Sequence, residues 1–178
     1  MKKFIQISLI RVFLLFACAR PAYADVALIG TPQPQAVETA YADMRVEKLT
    51  KYLEKRQSPL IEYAETMIQV ADAHDVPWTL VPAITGVESS FGVRMPANSC
   101  NAYGWNNGNY KFNSCQESIE HVTKVLKTKY IDRGANTVDK IAPIYAPPST
   151  TWAGKVKFFM NAIESVDVDE TSQLAFTL

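Results

Sequence analysis

The chain holds two histidines and three cysteines in 178 residues, no block or stripe of basic residues, and no internal repeat. Each scarcity removes a class of function. His74 and His121 are far apart in sequence and isolated from the cysteines, which argues against a metal site, and no cofactor is expected. Without clustered Lys and Arg there is nothing to neutralise a run of phosphates, which argues against a nucleic-acid partner. The apolar run Val12 to Ala19 falls far below the roughly 20 residues of a spanning helix, and Arg11 precedes it, so no stable membrane span is expected.

What the N-terminus does carry is an export signal: Lys2, Lys3 and Arg11 before the short apolar run, then Ala22-Tyr23-Ala24 as a small-residue cleavage site. Residues 1–24 are read as a signal peptide cut after Ala24. The rival is lipidation at Cys18 within Leu15-Phe16-Ala17-Cys18, although Phe16 is bulky where small residues are usual. Removing Lys2, Lys3, Arg11 and Arg20 takes 18 basic and 18 acidic residues to 14 and 18, a net charge of −4. A secreted or periplasmic location follows, and with it an oxidising compartment for the remaining even pair, Cys100 and Cys115. A disulfide between them closes a loop worth about 3 kcal/mol on the chain-entropy model. Two free thiols or half a metal site are the alternatives.

Residues 25–36, with Pro32 and Pro34, read as a flexible lead-in, and 37–57 as an amphipathic helix through Val37, Tyr41, Met44, Leu49, Tyr52 and Leu53. That helix packs on the body, projects as a stalk, or makes an assembly contact. Ser58-Pro59 reads as N-cap and first residue of a helix carrying Leu60, Ala64, Met67, Ile68 and Ala71. Pro77 opens another, with Val81, Ile84, Glu88 and Phe91 on one face, Pro82 tolerable only in its first turn, and Gly92 as its stop. Ala102 to Trp105 and Asn109 to Phe112 flank Asn107-Gly108, a short hairpin signal bracketed by the two cysteines. Ser114-Cys-Gln-Glu117 forms a capping box for a helix through Ile119, Val122, Leu126 and Tyr130. A short helix after Thr137 carries Ile141 and Tyr145; Pro147-Pro148 breaks the chain, and a last helix turns Trp152, Val156, Phe159 and Ile163 inward before a tail at 167–178. The fold class expected is α+β, a mainly helical domain over 58–166 with one small β-hairpin.

Glu88 stands four residues after Ile84 and seven after Val81, which points a carboxylate toward core positions. Burial there would raise its pKa and favour the protonated state that a general acid needs. The bland alternative is a glutamate that swings to solvent or pairs with Arg94. Beyond it, Asn101, Tyr103, Trp105, Asn107, Asn109, Tyr110 and Phe112 alternate aromatic plates with amides, a surface suited to uncharged sugars. Gly86 and Gly104 allow backbone to come close to a ligand or a neighbouring element.

Glu88-Ser-Ser-Phe-Gly92, Asn101-Ala-Tyr-Gly-Trp105, Phe112-x-Ser-x-x-Glu-Ser118, Tyr145-Ala and Trp152-Ala with Val156 occur in that order. Together they resemble the bacterial glucosaminidase branch of the lysozyme-like superfamily; the first piece is shared with lytic transglycosylases. The resemblance implies a lysozyme-like domain that cleaves β-1,4 glycosidic bonds in the glycan strands of cell-wall peptidoglycan without a metal. It implies Glu88 as proton donor and Tyr145 facing the reaction centre; the residues around Glu88 and in the aromatic-amide segment add Ser89, Asn101, Tyr103, Trp105 and Tyr110 as substrate-binding candidates. Glycosidases ordinarily carry a second carboxylate, yet no Asp or Glu occurs between Ser89 and Gln116. Glu117 is explained by capping, and Asp132 and Asp139 by helix ends or surface. A single-acid mechanism is therefore expected, ending in hydrolysis or in an anhydro product; a wall-binding module without turnover is the alternative from another class.

Overall fold

The computed structural model describes residues 34–168, with side chains from Met44 onward. The segment read as a signal peptide, most of the expected lead-in and most of the expected tail lie outside the described residues. Among the described residues there are six α-helices: α1 (Pro34–Lys55), α2 (Ala64–Ala73), α3 (Leu80–Ser89), α4 (Cys115–Val125), α5 (Val138–Tyr145) and α6 (Trp152–Glu164). Single turns connect them, a 3₁₀ turn at Ile61–Tyr63, a π turn at Leu126–Tyr130 running on from α4, and a 3₁₀ turn at Ile131–Arg133.

No strand occurs among the described residues, so the α+β expectation is corrected: the domain is helical, and the segment read as a hairpin is a coiled loop. A two-residue hairpin turn needs left-handed backbone at its two central residues. Here Asn106, Asn107 and Gly108 are all left-handed (φ +52°, +54° and +81°), and Gly104 is too, so the chain winds instead of reversing between two extended arms. Asn101 occupies the place of the ladder. Its amide oxygen accepts from Trp105 N (2.8 Å), while Nδ2 donates to the carbonyls of Trp105 and Tyr110 (2.9 Å each). One side chain thus satisfies backbone groups that strand pairing would have used. The Cys100–Cys115 disulfide, present as expected, closes this loop onto the start of α4.

The helical periodicities survive. Ala64, Met67, Ile68 and Ala71 line the inner face of α2, Ile119 and Val122 that of α4, and Trp152, Val156 and Ile163 that of α6. Ser114 caps α4 by accepting from Glu117 N (3.0 Å), and Glu117 Oε2 accepts from Asn113 N (2.8 Å), so this carboxylate is held in the cap. Ser58 departs from its expected role. Its hydroxyl accepts from Leu60 N (3.0 Å) and donates to Phe91 O (2.6 Å), which makes it a buried tie between the α1–α2 turn and the end of α3.

The second half of α1 belongs to the body. Leu49 and Leu53 are fully buried and Tyr52 nearly so. Arg45 forms a two-point pair with Asp72 (2.8 and 2.7 Å), and Lys48 Nζ donates to the carbonyl of Glu164 (2.7 Å) at the end of α6. The core extends from this helix through α2, α3 and α4 to α6.

Candidate active site

The end of α3 is the structural root of the site. Its C-cap Ser90 is left-handed, and so are Phe91 and Gly92 after it (φ +52°, +59° and +83°). Phe91 N donates to Thr85 O (3.0 Å) and Arg94 N to Ser89 O (2.8 Å), so the chain folds back under its own helix. A bulky residue with positive φ is strained and persists only where packing over-determines it. Phe91 is buried edge-on against Tyr52 of α1 (5.3 Å between ring centroids) and Phe159 of α6 (5.0 Å), with the Arg56 guanidinium over the rings. Gly86 makes room for this ring: a Cβ there would lie 2.4 Å from Phe91 Cζ and 2.9 Å from Phe159 Cδ2. The close approach expected at Gly86 is therefore to a neighbouring side chain.

Glu88, one residue before the last of α3, is exposed, which corrects the expectation of a buried carboxylate. Ile84 and Val81 on the same helical stripe are buried as foreseen. The stripe leaves the core in the final turn, where Glu88 meets other groups. Trp152 Nε1 donates to Glu88 Oε1 (2.8 Å) across 64 residues of sequence, and Oε2 lies over Gly104, where a Cβ would come within 3.5 Å. Trp152 itself is 3% exposed, so its indole N–H points at the carboxylate from a protected position. The Tyr145 ring stacks on Trp152 (4.9 Å, 28°), and the Tyr145 hydroxyl donates to Tyr103 O (3.3 Å), the carbonyl just before Gly104. Glu88, Trp152, Tyr145 and the Tyr103-Gly104 backbone thus close a ring of contacts built from α3, α6, the end of α5 and the 101–105 loop. Burial first, and then the nearby Glu88, hold the Tyr145 phenol well above the usual tyrosine range, so it is a neutral hydroxyl at physiological pH.

The expected binding residues divide in two. Ser89, Asn101 and Tyr103 are buried and used by the fold. Ser89 Oγ accepts from Gly92 N (2.9 Å) and donates to Ala102 O (2.8 Å), Asn101 organises the loop, and the Tyr103 phenol bonds to Ser118 with its pKa driven up by burial. They position Glu88's surroundings from behind. Trp105 is half-buried, edge-on to His121 (4.9 Å), and Tyr110 is 41% exposed against Phe112 (4.7 Å), so these two rings offer open faces. Among the described residues no ring contact or hydrogen bond links either to Glu88.

Trp152 as the partner of Glu88 was not foreseen; its sequence position marks it only as an inward residue of the last helix. The carboxylates considered as a second acid are committed elsewhere. Glu117 is in its cap, Asp132 lies 3.4 Å from Lys127 Nζ, and Asp139 pairs with Lys157 (2.8 Å). Among the described residues no group of three or more His, Cys, Asp or Glu is arranged to hold a metal ion, and no helix is long and apolar enough to cross a membrane.

No family model matches the sequence, and no significantly similar curated protein is found. The functional reading therefore stands on the geometry of Glu88 and on the motif resemblance.

Proposed function

We propose that this chain is an exported, cell-wall-associated glycosidase that cleaves β-1,4 bonds of peptidoglycan in the manner of an endo-N-acetylglucosaminidase, with Glu88 as its single acid and base. The observation that carries the reading is the Glu88 carboxyl itself: held at Oε1 by a protected indole N–H, laid over a glycine backbone at Oε2, and flanked by a stacked Trp–Tyr pair. A carboxyl fixed by one strong donor keeps a defined orientation while staying open on the side that a sugar oxygen would approach.

In this mechanism Glu88 gives its proton to the bridging oxygen as the C1–O bond breaks. The acetamido oxygen of the same sugar bonds to C1 and takes up the positive charge, which replaces the missing second carboxylate. Tyr145, whose hydrogen is given to Tyr103 O, keeps its phenol lone pairs free to face that charge. The Glu88 carboxylate then accepts a proton from water as the water oxygen adds to C1 and the bond from C1 to the acetamido oxygen breaks, or from the sugar's own 6-hydroxyl as that oxygen displaces the acetamide in the same way, which yields an anhydro product. The Cys100–Cys115 bridge is compatible with an oxidising extracellular or periplasmic location.

A binding module without turnover is the second reading, favoured by the exposure of Glu88 and the absence of a second carboxylate beside it among the described residues. Glu88→Gln separates the two. The expected outcome is an unchanged fold with loss of muropeptide release from purified walls; a wild-type chain that pulls down with walls and forms no new reducing ends or anhydro sugars supports the binding module instead.

A further inference from the structure

The π turn that prolongs α4, Leu126–Tyr130, has no role in the chemistry described so far. A π turn inserts an extra residue into a helix and re-aims the side chains beyond it; such turns concentrate at functional positions. This one is fixed at its start. Leu126 is buried, and Lys127 Nζ bonds Asp75 (3.0 Å) and lies 3.4 Å from Asp132. The residue it delivers is Tyr130. That ring lies 6.2 Å from Tyr145, tilted by 46°, so Trp152, Tyr145 and Tyr130 form a run of three aromatic rings that begins at the Glu88 carboxyl. Tyr130 is half-buried, and among the described residues no group hydrogen-bonds its hydroxyl. Tyr103 and Tyr145 differ on this point, since each has spent its hydroxyl inside the protein. A half-buried ring whose hydroxyl has no partner among the described residues is the form of a recognition residue; mere packing would be served equally by phenylalanine.

We propose that Tyr130 contacts substrate and forms a sugar subsite beyond Tyr145, its ring supplying an apolar plate and its hydroxyl a hydrogen bond to a polar group of an N-acetylated sugar. The inference rests on the glycosidase reading and extends its site along the glycan strand.

The test uses the full exported chain in six forms: wild type, Glu88→Gln, Tyr130→Phe, Tyr130→Ala, and each Tyr130 variant combined with Glu88→Gln. Rates on purified peptidoglycan are measured across wall concentrations. Binding of the tetramer of N-acetylglucosamine is measured by calorimetry in the Glu88→Gln background. Tyr130→Phe is expected to raise half-saturation and weaken tetramer binding about 3- to 10-fold by loss of one hydrogen bond, with kcat little changed. Tyr130→Ala should lose about 10-fold or more as the plate goes as well. If the alanine variant does not fold, the phenylalanine variant alone decides. A Tyr130 that only supports Tyr145 would instead lower kcat and leave tetramer affinity at the Glu88→Gln value, which overturns the proposal. Wild-type protein that digests walls while both Tyr130 variants saturate and bind like their parents overturns it too and leaves the glycosidase reading intact. A wild type that neither digests nor binds removes both.

Discussion

Replacing Trp152 by Phe removes the indole N–H that faces Glu88, together with part of a buried ring. The lost contact is Trp152 Nε1 to Glu88 Oε1 at 2.8 Å, while an aromatic ring remains to stack on Tyr145. A hydrogen bond to a charged group is worth about 1.5–3 kcal/mol in general. Glu88 is exposed, so water can replace the donor, and the low end applies. An orientation loss of about 1–1.5 kcal/mol corresponds to a roughly 5- to 12-fold fall in kcat. Trp152 is also a core residue at 3% exposure, and the smaller ring leaves unfilled space that lowers stability by roughly 1–2 kcal/mol. That change moves the melting midpoint by only a few degrees, about 2–4 °C per kcal/mol for a chain of this size, so assays at 25 °C compare folded proteins. Initial rates of muropeptide release, read beside thermal unfolding, separate the two effects. A Trp152→Phe protein that is destabilised as expected yet cleaves at the wild-type rate would refute the claim that the indole N–H orients the acid.

Three further outcomes are expected. Gly86→Ala places a methyl 2.4 Å from Phe91 and should destabilise by about 1–3 kcal/mol in urea unfolding, against a helix preference for Ala of about 1 kcal/mol; an unchanged or higher midpoint would show that Phe91 has room to move. A chain begun at Ser58 exposes the surface that Leu49, Tyr52 and Leu53 cover, about 1.5–3 kcal/mol for each, a large share of the roughly 5–15 kcal/mol that holds a domain, so circular dichroism should find it largely unfolded; a folded, active fragment would contradict the place of α1 in the core. Tyr103 and Tyr145 both have folded-state pKa values raised above the ordinary 10.0, so their contribution is complete below pH 10 and is lost as pH rises beyond it, because the unfolded chain ionises first. Tyr145→Phe should therefore flatten the alkaline fall in stability above about pH 10; an unaltered slope would mean that this phenol ionises in the native state.

The helices were legible because burial follows local periodicity. The apolar spacing of α2, α4 and α6 reappears in the core, and Pro82 sits in the first turn of α3 where proline is tolerated. The hairpin expectation fails because Asn107-Gly108 is not the whole turn: Asn106 is also left-handed and the side chain of Asn101 captures the backbone groups on either side. Nothing local distinguishes an asparagine that binds sugar from one that binds its own loop. The same holds for Ser89, whose partners Gly92 and Ala102 are set by how the chain returns after Phe91. At Glu88 the stripe of Val81 and Ile84 pointed to burial, but a helical stripe does not reveal where the core ends. Its exposure, and the indole that grips it from 64 residues away, are tertiary facts. Tyr145 came from motif resemblance, and its stack on Trp152 gives that assignment a position beside Glu88.

Mass spectrometry of the soluble products from purified peptidoglycan, with wild-type and Glu88→Gln protein side by side, bears most directly on the role of Glu88. The expected result is wild-type release of disaccharide-peptides that end in a reducing or an anhydro sugar, with N-acetylglucosamine at the cut for the glucosaminidase reading, and none from Glu88→Gln. Equal release by both proteins, or none by either from walls that the wild type binds, would contradict it.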